Sequence, residues 1–133
     1  MSGSSSTRMR SALGRVRHHG ASGEGTGHFI AMRWTSIALA LLAPWFVVSA
    51  ALAIRDGAYL SAIDFLTDPF NAVGTILLLL ASLYHMSLGM QEVILDYIHR
   101  PFTKVLLLLI NAGVPLVLGA AAIFAVLSLN FGV

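Results

Sequence analysis

One apolar stretch, LYHMSLGMQEVILDY (83–97), carries a histidine at 85, a glycine at 89 and an Asp-Tyr pair at 96 and 97. Its first half is greasy enough to lie in lipid. An ionisable side chain inside a bilayer is expensive, so its default reading is functional. Imidazole can be neutral near pH 7, and neutral imidazole is a good ligand to haem iron. The plainer reading of His85 is an interhelical hydrogen bond inside a bundle. Residue type alone leaves both open.

The neighbours of His85 extend the pattern. Gly89 is four residues on, the same face of a helix. A missing side chain there admits either a large flat ligand or a closely packed helix. Asp96 returns to within about 20° of the same face, roughly 16 Å further along a continuous helix. Asp96 reads as a solvated helix-terminal charge or as part of a site. Tyr97 reads as an interfacial anchor, or as a phenol donating to a quinone carbonyl.

Composition limits what chemistry is available. Cysteine is absent, which excludes disulfides, zinc-thiolate sites, iron–sulfur ligation and covalent c-type haem. Any metal chemistry must run through histidine or carboxylate. A membrane haem b takes two axial ligands, yet only His85 falls at membrane depth. His28 and His99 lie at span ends, and His18 and His19 in the N-terminal arm. A haem bound through His85 therefore needs its second ligand from another chain.

The elements that must position these residues follow from the spacing of charges. The chain has 133 residues, 57% hydrophobic and 11% charged, where a soluble domain carries roughly 25% charged residues. Lipid is the solvent this implies. Asp, Glu, Lys and Arg are missing from Trp34 to Ile54, from Pro69 to Gln91 and from Val105 to the C-terminus. Each run reaches the about 20 residues that cross a bilayer. Each must be helical, because lipid cannot satisfy free backbone groups. The predicted fold is an all-α membrane protein with three transmembrane helices, part of a hetero-oligomeric bundle. A flexible inner-side arm covers 1–30 and the anchor covers 31–133, with spans about 34–54, 70–91 and 105–129. Pro44 and Pro115 fall inside spans one and three, where neighbouring helices or water must cover the carbonyls they free.

Arg8, Arg10, Arg15, Arg17 and Arg33 precede the first span, and Arg100 and Lys104 follow the second. The intervening loop holds Arg55 against Asp56, Asp64 and Asp68. The positive-inside rule then places the N-terminus inside and the C-terminus outside. The Ser- and Arg-rich arm has the composition of a mitochondrial transit peptide. Its glycines break any long amphipathic helix, which favours a cytoplasmic arm in a bacterial inner-membrane protein. A nucleic-acid tail is not the reading, since the rest of the chain is membrane-like.

The pattern H-x3-G-x6-D-Y (His85, Gly89, Asp96, Tyr97) resembles the signature of the small membrane-anchor subunit of succinate dehydrogenase, respiratory complex II. The N-terminal stretch, with His28, Arg33 and Thr35 in an H-x4-R-x-T pattern, is similar to alphaproteobacterial members. The resemblance implies that His85 is one axial ligand of a haem b shared with the large cytochrome b anchor subunit. It implies that Tyr97 hydrogen-bonds a ubiquinone carbonyl near the inner face, with Asp96 tuning that phenol or relaying protons. Arg33, and less securely His28, would lie near the haem propionates and quinone pocket. The iron–sulfur subunit and flavoprotein subunit would complete an enzyme this chain cannot run alone. A fumarate reductase anchor is the alternative within that class. A non-enzymatic assembly or transporter accessory subunit, with His85 packing or relaying protons, is the alternative outside it.

Overall fold

A computed structural model describes residues 24–55 and 57–132. They form four helices: α1 (Glu24–Ala53), α2 (Tyr59–Thr67), α3 (Pro69–Tyr97) and α4 (Pro101–Phe131). Among the described residues there is no strand. Stretches Gly25–Ala53, Pro69–Tyr97 and Pro101–Phe131 are long and apolar enough to cross a membrane. At 1.5 Å per residue each is about 45 Å long, against a hydrocarbon core of about 30 Å. The helices therefore continue past the uncharged runs into the interfacial zones. The arm expected over 1–30 gives way to helix at Glu24, and its cluster of arginines from Arg8 to Arg17 lies outside the described residues.

Local chemistry sets the helix ends. Gly57, at φ +64°, turns the chain after α1, a left-handed conformation that glycine adopts without strain. Asp68 ends α2 and caps α3: its carboxylate accepts from the Asn71 backbone N–H at 2.9 Å, and Pro69 opens the next helix. The α3 helix stops at Tyr97, because Pro101 must begin a new element. Lys104, in the first turn of α4, donates to the Leu95 carbonyl at 2.9 Å, placing a cation at the negative end of α3. Gly132, at φ +68°, closes α4.

The loop between the first two spans contains a helix that the charge pattern conceals. In α2, Phe65 is buried and meets Phe46 of α1 edge-on at 5.9 Å. Asn130 of α4 donates to the Leu66 carbonyl at 3.0 Å. The short helix thus touches α1, α3 and α4 and ties one end of the molecule together.

The three long helices do not close into a bundle. α3 packs against both α1 and α4, while α1 and α4 make no close backbone approach among the described residues. They stand in a row with α3 in the middle. Burial is correspondingly sparse: Ala72, Thr75, Leu88 and Ile94 on α3, Gly119 and Val126 on α4. Close approach is made by small residues, as in lipid generally. A Cβ on Gly74 would overlap the Trp45 indole, and one on Gly119 would meet Leu83 at 3.4 Å. Pro115 cannot donate to the Asn111 carbonyl four residues earlier. The Ser87 hydroxyl of α3 donates to that carbonyl instead, at 3.3 Å, and the Asn111 amide returns a bond to the Ser87 carbonyl at 2.9 Å. The neighbouring helix covers what the proline frees.

Candidate functional site

His85 sits on α3 at the seam with α1. Its Nδ1 is 2.8 Å from the Thr35 hydroxyl oxygen, and the ring is half-buried. Among the described residues its Nε2 takes no partner. The interhelical hydrogen bond that a buried histidine would make is present, yet it occupies only one ring nitrogen. A ligating histidine has this same division of labour, one nitrogen for the metal and the other held by a neighbour.

Seven residues away on each helix is a second rung. His28 Nε2 lies 2.9 Å from a carboxylate oxygen of Glu92, close enough for an ion pair when the ring is protonated. The ring N–H is not aimed at that oxygen, so the contact lacks hydrogen-bond alignment. His28 with Glu92 and Thr35 with His85 place α1 and α3 antiparallel in one register, the rungs about 10 Å apart. The seam continues as an apolar recess of about 620 Å³ lined by Ala38, Leu42, Leu77, Leu80, Ala81 and Tyr84. Ala38 is one turn from Thr35, and Ala81 one turn from His85. Two alanines where larger residues could stand open the seam at that point. Gly89 also faces open space, with nothing within 4 Å of where a Cβ would be.

The other expected residues lie at the ends of the helices. Asp96 and Tyr97 are exposed at the last turn of α3, and the continuous helix to Tyr97 puts about 16 Å between Asp96 and His85. A recess of about 300 Å³ opens beside Tyr97, formed with Ile98, His99, Arg100 and Thr103. Tyr97 is 75% exposed, so its phenol is available to whatever covers this end. Arg33 is exposed on α1, and its guanidinium stacks 4.8 Å over the Phe29 ring. The structure thus unites His85 with Thr35 and His28 with Glu92. It leaves Tyr97 and Asp96 at a separate locus, where α3 meets the loop to α4. Among the described residues no three His, Cys, Asp or Glu side chains cluster.

Sequence reasoning missed Glu92, although its place seven residues after His85 marks it as a neighbour on the same face. It also missed Asn111, whose signal was an amide in an otherwise apolar run. Thr35 stood in the quoted motif without a role.

The family model described as succinate dehydrogenase/fumarate reductase transmembrane subunit matches residues 7–127. The chain is 30% identical over 90 residues to the succinate dehydrogenase hydrophobic membrane anchor subunit of Rickettsia conorii, covering 68% of this chain and 71% of that protein. The protein of the same description in Rickettsia bellii is 33% identical over 90 residues, with the same coverage. That of Rickettsia felis is 35% identical over 78 residues, covering 59% of this chain and 64% of the relative. No solved structure matches. Three apolar helices, the H-x3-G-x6-D-Y spacing on the middle one and these matches agree: the chain belongs to the succinate dehydrogenase/fumarate reductase transmembrane subunit family, as a succinate dehydrogenase membrane anchor of the alphaproteobacterial type.

Proposed function

We propose that this chain anchors a succinate:ubiquinone oxidoreductase in the bacterial inner membrane, supplying one axial ligand to a haem b and part of the ubiquinone-reduction site. The observation that carries the reading is the state of His85. Its Nδ1 is held by Thr35, its Nε2 is without a partner among the described residues, and Gly89, one turn on, leaves open space where a side chain would stand. A half-buried imidazole with one free nitrogen at a helix seam suits an iron-bearing ring. Haem b, when bound there, would take up and return one electron at a time. The second axial nitrogen would come from the large cytochrome b anchor subunit.

Each polar residue then has a task. Arg33, on the exposed side of α1, would pair with haem propionates. His28 would lie near them, 2.9 Å from a carboxylate oxygen of Glu92. The Tyr97 hydroxyl would donate to a ubiquinone carbonyl oxygen, stabilising the negative charge that develops there on reduction. Asp96 would hold that phenol or hand it protons. Reducing a quinone takes two electrons and two protons, so its site must meet both an electron donor and water. An exposed helix end next to the Arg100 loop could meet water and an electron donor carried by a docked subunit, which a mid-bilayer position would not.

The iron–sulfur and flavoprotein subunits would dock at this inner end and oxidise succinate, linking the tricarboxylic acid cycle to the respiratory chain. Orientation is N-terminus cytoplasmic and C-terminus periplasmic, on the distribution of Arg and Lys. Relatives described as succinate dehydrogenase anchors favour oxidation over the reverse, fumarate-reducing direction. Membership of this family leaves an unrelated transporter accessory without support.

The test is a dithionite-reduced minus oxidised spectrum of the purified complex, wild type beside His85→Ala. A b-type α-band in the wild type, lost or altered in the variant, is the expected result. An identical band in both would remove His85 from the haem.

A further inference from the structure

We propose that Thr35 is a positioning residue for His85: its hydroxyl fixes the ring tautomer and rotation that leave Nε2 free to bind iron. This rests on the reading of His85 as a haem ligand and deepens it.

A threonine hydroxyl has one proton to give and two lone pairs to receive with. The Thr35 oxygen has three neighbours: the Ala31 carbonyl at 2.9 Å, the Met32 carbonyl at 3.0 Å and His85 Nδ1 at 2.8 Å. Carbonyl oxygens only accept. If the hydroxyl proton went to Nδ1, the Thr35 oxygen would turn bare lone pairs on two carbonyl oxygens within 3.0 Å, in a setting without bulk water to screen the repulsion. The proton therefore lies between Thr35 and its own backbone, shared across the turn as helical threonines do. The contact to His85 must then run the other way, with Nδ1–H donating and the Thr35 oxygen accepting. In a neutral imidazole, a proton on Nδ1 leaves the lone pair on Nε2. That is the tautomer a metal requires at Nε2.

The same bond sets orientation. Helix α1 fixes the Thr35 oxygen, because its hydroxyl is tied to its own backbone. A ring held at 2.8 Å from a fixed point cannot swing freely about its Cβ–Cγ bond. The bond would also adjust electronics: an Nδ1–H donated to Thr35 would let Nε2 give more electron density to a bound iron. A stronger electron-donating ligand would favour ferric over ferrous iron and lower the reduction potential. Threonine, rather than a larger or charged partner, does this at modest strength and adds no charge inside the membrane.

The test uses the intact purified complex, with Thr35→Val, Thr35→Ser and His85→Ala compared with the wild type. The readouts are the haem midpoint potential by redox titration and the low-spin EPR spectrum, whose largest g value follows the orientation of the axial ring planes. Thr35→Val, which keeps the shape and removes the acceptor, should raise the midpoint potential and move the g value. Thr35→Ser should restore both toward wild type. Unchanged potential and EPR in Thr35→Val, with the haem signature lost in His85→Ala, would overturn the proposal and leave the ligand reading intact. An unchanged signature in His85→Ala would overturn both. Should Thr35→Val not assemble, Thr35→Ala carries the same readouts. If neither assembles while Thr35→Ser does, Thr35 is a structural cross-link and the proposal fails.

Discussion

At the scale of the residue, one helix carries His85 and Tyr97 at two separate loci. His85 lies half-buried at the α1 seam, and Tyr97 lies exposed three turns further on, where water can reach. A tyrosine whose phenol is a donor to a reducing carbonyl should show its value in the turnover step rather than in haem. Tyr97→Phe is expected to lower kcat for quinone reduction by about a hundredfold, the scale of losing one preorganised donor. The reduced-minus-oxidised spectrum should stay as in the wild type, so steady-state kinetics and the spectrum on one preparation check it. His85 was legible as a special residue because lipid makes an ionisable side chain conspicuous. Its partner was not, because a threonine inside a membrane helix usually bonds its own backbone and carries no outward sign of more.

At the scale of the element, the middle helix carries the packing on both sides. Ser87 covers the carbonyl that Pro115 frees, and it does so from a different helix. Ser87→Ala should therefore destabilise the α3–α4 pair by about 1 kcal/mol, in the range measured for interhelical hydrogen bonds in membranes. An unfolding titration in mixed detergent micelles reads this as a lower midpoint. On the opposite side, a methyl group on Gly74 would run into the Trp45 ring. Gly74→Ala should cost about 1–3 kcal/mol by overpacking, visible in the same titration. Gly89→Ala meets no atom of this chain. It should leave the fold of the chain unchanged and reduce haem content in the complex, as measured by pyridine haemochrome. The helix α2 escaped sequence reading for an identifiable reason. Its acidic residues, Asp64 and Asp68, marked the segment as a loop, whereas its contribution to the fold lies in Phe65 and Leu66.

At the scale of the whole molecule, the governing fact is the open row. A row of three helices leaves large apolar residues exposed, among them Leu41, Leu77, Val117 and Phe124. Lipid can cover such residues, but a row without a closed core has few contacts to hold its order. The chain expressed without its partner subunits should be degraded or recovered in poor yield, and co-expression with the rest of the complex should restore it. Membrane immunoblots against time after translation arrest check this. Topology is separately testable: an alkaline phosphatase fusion after Val133 should be active in the periplasm, and a green fluorescent protein fusion at Met1 should fluoresce in the cytoplasm.

What the sequence by itself determined is the number of helices long and apolar enough to cross a membrane. Backbone groups in lipid have no other partner than their own helix, so an uncharged run of sufficient length has one fold open to it. The location of His85 within such a run was equally plain. Which helix faces which was not written there. Helices that are apolar nearly all round have little periodic signal to orient them. Only the tertiary structure decided that α3 stands between α1 and α4, that Thr35 meets His85 and His28 meets Glu92, and that Ser87 reaches the carbonyl freed by Pro115. Those pairings rest on the register between helices, which small residues and single polar contacts set, and no one helix contains that information.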